Sequence, residues 1–269
     1  MPAPINPRNG WGLVSGAVIG TLGGLIGLGG AEFRLPLLVG YFRLATLEAV
    51  ILNKAMSLAV VTFALVFRAG SLPFGETLAR IDIVLNLLAG SLLGAWWAAG
   101  HAMRMSRLWL NRVVLVLLVG LAVLMLAEFW FGLGEPGKAL FEAGATRMAA
   151  GFAAGPGIGR VAALLGVAGG ELLIPTLVLL YGIDIKLAGS LSLAISLPTM
   201  LVGFARYSQS GSFAVLGQER PLMIWMVLGS LIGAALGGLL LGLVPGDWLI
   251  GLLGLILLIS AVKVFQHAH

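Results

Sequence analysis

Gly27-Leu28-Gly29-Gly30-Ala31-Glu32-Phe33-Arg34-Leu35-Pro36 recurs as Gly166-Val167-Ala168-Gly169-Gly170-Glu171-Leu172-Leu173-Ile174-Pro175, an offset of 139 positions. In each copy glycines end an apolar run, an acidic residue follows, and a proline marks the next helix. Proline in the first turn of that helix would cost nothing, since its missing N–H has no intrahelical partner there. The same offset lays Ser57 on Ser196, residues 90–95 on 229–234, and Trp109 on Trp248. One spacing that matches Glu, Pro and Trp at once is not a product of composition, so the chain reads as an internal repeat. Duplicated halves are a common way to build secondary transporters.

Composition fixes the solvent. Of 269 residues, 59% are hydrophobic and only 10% charged, and mean hydropathy is +1.06. So little charge cannot cover a water-facing surface, and so much apolar character excludes disorder. A polytopic α-helical membrane protein is expected. The net charge of +5 reads as a bias of cytoplasmic loops and not as nucleic-acid binding. Without Cys there are no disulfides, thiolate metal sites or Cys nucleophiles. A phosphate-binding loop is also absent, since Gly137-Lys138 is followed by Ala139.

The apolar runs are 11–30, 35–42, 46–67, 81–100 and 108–131, then 148–167, 172–181, 187–206, 222–243 and 248–264. Both sets read long, short, long, long, long, giving eight full spans and two short or broken helices. The expected division is a first transmembrane repeat at 1–131, a connector at 132–147 and a second repeat at 148–269. Arg104, Arg107 and Arg112 make the first half's last turn cytoplasmic, while its counterpart Val244-Pro245-Gly246-Asp247 has no basic residue. The halves are therefore expected to be inverted, with Arg8 and Lys263 placing both termini inside. An odd number of crossings per half then requires the short segments to count.

A helix broken at membrane depth must face protein or a water-filled cavity, because lipid satisfies no backbone group. The helix after each break offers free N–H groups and a positive dipole end to an anion. The alternative is close helix packing through small residues, the preferred reading for isolated glycines such as Gly16, Gly20 and Gly233. Glu32 and Glu171 read either as a proton-linked gate or as caps bracing the breaks. Lys54, mid-span beside Asn53 and one turn before Ser57, is a substrate-facing candidate, with an ion pair to Glu32 or Glu48 as the alternative. Arg34 and Arg160 are further candidates, set against snorkelling or local pairing. Ser190, Ser192 and Ser196 fall where the first half has Asn53 and Ser57.

The segments GLGGAEFRLPLL and GVAGGELLIPTL resemble the paired G-x-G-G-G-x-x-x-x-P-x-L signatures of the sulfite exporter TauE/SafE family. Ala31 and Ala168 stand where that pattern has glycine, and Glu32 and Glu171 stand where many members carry small or apolar residues. The resemblance implies a permease of the cytoplasmic (inner) membrane of a prokaryote, moving sulfur-containing anions, often outward. The expected substrate is sulfite, a sulfonate or a related organosulfur oxyanion, carried by alternating access. Substrate contacts are expected from Gly29, Gly30, Arg34, Asn53, Lys54, Ser57, Gly169, Gly170, Ser192 and Ser196, with proton coupling at Glu32 and Glu171. Neither enzymatic activity nor a cofactor or metal is expected. The expected partners are a small anionic solute and the lipid bilayer, with proton coupling and a homo-oligomer left open and no nucleic acid. A non-transporting membrane scaffold and an uncoupled anion channel are the competing readings.

Overall fold

The structure, a computed structural model, describes residues 7–26, 30–68, 79–131, 139–141, 144–239, 251 and 254–262. Everything long in it is helix. In chain order these are α1 (Pro7–Ile26), α2 (Ala31–Gly40), α3 (Thr46–Arg68), α4 (Ile81–Ala102), α5 (Arg107–Phe131), α6 (Ala145–Leu165), α7 (Gly170–Tyr181) and α8 (Ile185–Tyr207). A 3-10 turn (Gly211–Ala214) and the single-turn α9 (Val215–Gln218) lead into α10 (Arg220–Leu239), and α11 covers 254–262. Six of these helices are long and apolar enough to cross a membrane: α3, α4, α5, α6, α8 and α10. The chain is thus a multi-pass membrane protein. Helix bounds follow the sequence offset: Thr46–Arg68 lies 139 positions before Ile185–Tyr207.

The short helices α2 and α7 have 10 and 12 residues, so at 1.5 Å per residue each covers about half of a bilayer core. Each reverses the direction of the long helix before it. Tyr41, just past α2, packs on Trp11 near the start of α1, with ring centroids 5.9 Å apart, and the Arg8 guanidinium lies over Phe42. The second pair repeats this: the Tyr181 hydroxyl, at the end of α7, donates to Asn86 Oδ1 at 3.2 Å, and Asn86 Nδ2 donates to the Met148 carbonyl near the start of α6. The first hairpin opens toward the end of the bundle that holds the 103–106 turn, because α3, which follows it, begins against α5 through a Thr46–Asn111 hydrogen bond. The second hairpin opens toward the opposite end, where α4 begins. The 244–247 turn, Lys263 and most of the 132–147 connector lie outside the described residues.

Packing between the long helices explains the isolated glycines. α1 packs along α10 and α6 along α4, each pair parallel, since Gly16 meets Met226 and Gly20 meets Ser230 while Gly90 meets Phe152 and Gly94 meets Pro156. A Cβ on Gly155 of α6 would stand 2.9 Å from the Leu87 carbonyl oxygen of α4, and one on Gly90 of α4 would stand 2.7 Å from that of Phe152. Gly20 of α1 leaves its Cβ position 2.7 Å from the Ser230 Cα of α10. Gly16, Gly94, Gly159, Gly229 and Gly233 are occupied in the same way by backbone of the facing helix. Under the 139-residue offset Gly16 and Gly20 fall on Gly155 and Gly159, and Gly90 and Gly94 fall on Gly229 and Gly233. So the 139-residue offset that carries α1 onto α6 also carries α4 onto α10, and the two contacts correspond. Small residues allow this backbone approach, which is how helices gain van der Waals contact where lipid removes any hydrophobic drive.

Two expectations change. Pro36 and Pro175 are not in a first helical turn; α2 starts at Ala31 and α7 at Gly170, so each proline is the sixth residue. The left-handed glycines Gly30 (φ 68) and Gly169 (φ 84) end the break earlier than the prolines suggested. Arg160 is exposed, with its guanidinium 5.0 Å from the centre of the Trp97 ring, on the outside of the bundle and away from the breaks. Its long aliphatic stem lets the charge reach an aromatic partner at the surface.

The interlocked glycines set a measurable cost. Gly16→Val and Gly155→Val should each destabilise the protein by about 1–3 kcal/mol or more through overpacking. Gly157→Ala, whose Cβ meets nothing within 4 Å, should be neutral. Thermal melts of the three purified variants check this, and equal melting temperatures would contradict it.

Candidate functional site

The breaks meet at the centre of the protein, and α3 joins them. α6 ends at Leu165 with Gly166 in the left-handed region (φ 67); the Val167 and Gly166 N–H groups turn back onto the Ala162 and Ala163 carbonyls, and the carbonyls that follow need donors from other helices. Lys54 Nζ donates to the Ala162 carbonyl at 3.0 Å, Asn53 Nδ2 to that of Leu165 at 3.0 Å, and Ser57 Oγ to that of Gly166 at 3.2 Å. From α8, the Tyr207 hydroxyl donates to the Ala163 carbonyl at 3.1 Å. Asn53 Nδ2 also donates to the Ala31 carbonyl at the start of α2, at 2.9 Å, so one side chain bridges both breaks. A cation at a helix C-terminus complements its dipole, and Lys54 fills that place for α6.

Lys54 is therefore not in an ion pair. Among the described residues no carboxylate lies within ion-pairing distance of it, and Glu48 instead accepts from the Ala45 N–H at 3.3 Å. Lys54 is fully buried, and Gly203 of α8 leaves room for its side chain, with Nζ 3.4 Å from the position a Cβ would take.

Arg34 is the other buried cation. It is 1% exposed, so it does not snorkel. Its Nη2 donates to Ser57 Oγ at 3.1 Å, while Nε and Nη1 have no hydrogen-bond partner. Glu32 is fully buried and neither of its carboxyl oxygens is hydrogen-bonded; Glu171 is 6% exposed with Oε1 unpaired. The two carboxyls are neighbours, and Arg34 is near enough to Glu32 to act on its charge. The backbone adds acceptors here: Pro36 and Pro175 have no N–H to give the carbonyls of Glu32 and Glu171, four residues back. The centre thus holds two carboxyls, a half-satisfied guanidinium and a set of fully engaged backbone caps. Buried polar groups left unpaired in this way are costly in the dry interior, which makes this cluster the candidate site.

The remaining candidates are distributed as follows. Ser196 is buried, and Ser192 is buried with its hydroxyl on the Gly189 carbonyl of its own helix at 2.8 Å. Gly30, Gly169 and Gly170 form the two starts of the short helices; Gly29 lies outside the described residues. Tyr207 was not singled out by the sequence, since the eighth run ends at Arg206. Its signal was available, because it is one of three tyrosines in the chain and closes a span.

Residues 12–264 match the family described as Sulfite exporter TauE/SafE, and the chain belongs to that family. The family is one of membrane transporters for sulfite export. No curated protein and no solved structure matches the chain.

Asn53 carries a definite structural load. Asn53→Leu leaves the Ala31 and Leu165 carbonyls buried and unpaired, at roughly 1–3 kcal/mol for each. The variant should unfold at lower temperature than Asn111→Leu, which disturbs one hydrogen bond only; equal melting points would show that Asn53 does not hold the two helix ends together.

Proposed function

We propose that the protein is a secondary transporter, working outward, for a small oxyanion such as sulfite or a sulfonate. The observation that carries this reading is Arg34: a buried guanidinium with two nitrogens unpaired, on the short helix that also carries the buried Glu32. A planar fork of N–H donors suits an oxyanion. Gly29, Gly30, Gly169 and Gly170 let backbone approach the solute, with Asn53, Ser57, Ser192 and Ser196 around it. Lys54 adds positive charge from the end of α6. Glu32 and Glu171 take up and release the coupling proton as the site opens to one side and then the other.

The transport cycle follows from two halves of opposite orientation. The exchange of α1–α10 for α6–α4 under one offset supports an inverted repeat, as do the two hairpins that open to opposite ends. The face with Arg8, Arg104, Arg107 and Arg112 is the cytoplasmic one by the positive-inside rule, and the membrane is the inner membrane of a prokaryote.

Flux into proteoliposomes tests the reading. Arg34→Gln should lower oxyanion affinity about ten- to hundredfold, the worth of a charge-assisted hydrogen bond at roughly 1.5–3 kcal/mol. Glu32→Gln and Glu171→Gln should bind the anion and lose the dependence of flux on a pH gradient. A ligand screen whose only hits are cations or neutral solutes would refute the assignment. Because the chain has no Cys, single-cysteine labelling has no background. Ser106→Cys should react from the cytoplasmic side and Pro245→Cys from outside; reaction of both from one side would exclude inversion.

A further inference from the structure

A cavity of about 940 Å³ lies on the side of α2 opposite the buried centre, between α1, α2, the starts of α3 and α5, and α11. Its inner wall is apolar, formed by residues such as Val18, Leu22, Phe33, Leu37 and Ile256. Its mouth is polar, with Arg43, Arg107, Asn111, Thr46 and Ser260. No acidic residue lines it, and among the described residues neither Arg43 nor Arg107 has a carboxylate or hydrogen-bond partner. Arg43 is held at φ 56, the one non-glycine residue with positive φ among those described. Such backbone costs energy that the surroundings must offset.

Depth and size select the occupant. The mouth stands level with exposed Trp11, Tyr41 and Trp109, the residue types that gather where hydrocarbon meets headgroups. Below that level the walls offer nothing to a hydrated inorganic ion, and the volume is at the upper end of the 300–1,000 Å³ or so of ligand pockets. We propose that this cavity binds an anionic phospholipid, its phosphate between Arg43 and Arg107 and an acyl chain along α1, α2 and α11. Basic pockets between helices on the cytoplasmic side suit such headgroups. The lipid packs along α2, the helix that carries Glu32 and Arg34 on its other side, and so braces one of the two breaks. This inference needs only the membrane-embedded fold and stands whether or not the solute is an oxyanion.

The test uses the full-length protein in neutral detergent, with phosphatidylglycerol, phosphatidylcholine or inorganic phosphate added. Phosphatidylglycerol should raise the melting temperature and remain bound in native mass spectra; phosphatidylcholine and inorganic phosphate should do neither. Arg107→Gln should weaken the phosphatidylglycerol effect about fivefold and Arg43→Gln/Arg107→Gln about 30-fold, from the usual contribution of a basic residue next to anionic lipid. Arg112→Gln removes the same charge from α5 but lies outside the cavity, over Trp109, and should change nothing. Equal stabilisation by inorganic phosphate would make this an oxyanion site. Equal effects of the two lipids, or a full effect retained in Arg107→Gln, would overturn the proposal; that single variant, at an exposed position, keeps the test open should the double variant fail to fold.

Discussion

A helix that stops inside a bilayer leaves carbonyls that neither lipid nor bulk water can satisfy. The end of α6 is such a place, and the fold is organised around it. Asn53, Lys54 and Ser57 of α3 and Tyr207 of α8 each send a donor to one of its terminal carbonyls. Because Asn53 also holds the Ala31 carbonyl, the same residues fix the start of α2. Remove this set and neither break has a defended position. The charges at the centre are consequences of that arrangement: Lys54 is spent on the helix end, and Arg34, tethered once through Ser57, is the cation with donors to spare.

The two copies of the Gly-Glu-Pro motif agree in backbone and differ in charge. Both copies keep the glutamate, the left-handed glycine and the proline. The cations have no second copy, since Arg34 and Lys54 fall on Leu173 and Leu193. The positive charge of the buried centre therefore comes from the first copy of the motif and the helix that follows it alone.

Much of this was legible in the sequence. The breaks show as glycines flanking an acid, and the membrane as a shortage of charge. Close packing at Gly16, Gly20 and Gly233 was readable too, but not the partner, because pairing across halves leaves no trace in local periodicity. Lys54 looked like a free charge in search of an anion or a carboxylate; its partner is a backbone carbonyl more than a hundred positions away, and every residue has one. Arg160 looked as central as Arg34 by position in its span. Only the rotation of α6 about its axis, which turns Arg160 outward onto Trp97, tells them apart. The prolines misplaced the helix starts because the left-handed glycines, and not the prolines, end the break.

The cross-half packing has a consequence for synthesis. α1 leaves the ribosome first, yet the helix whose backbone fills its glycine notches, α10, is made about 200 residues later. At about 5–20 residues per second that is a wait of roughly 10–40 s. During this interval the notches at Gly12, Gly16 and Gly20 face lipid or whatever helix the insertion machinery offers. The first hairpin can therefore enter the membrane early but reaches its final seat late, once α10 has followed it into the bilayer.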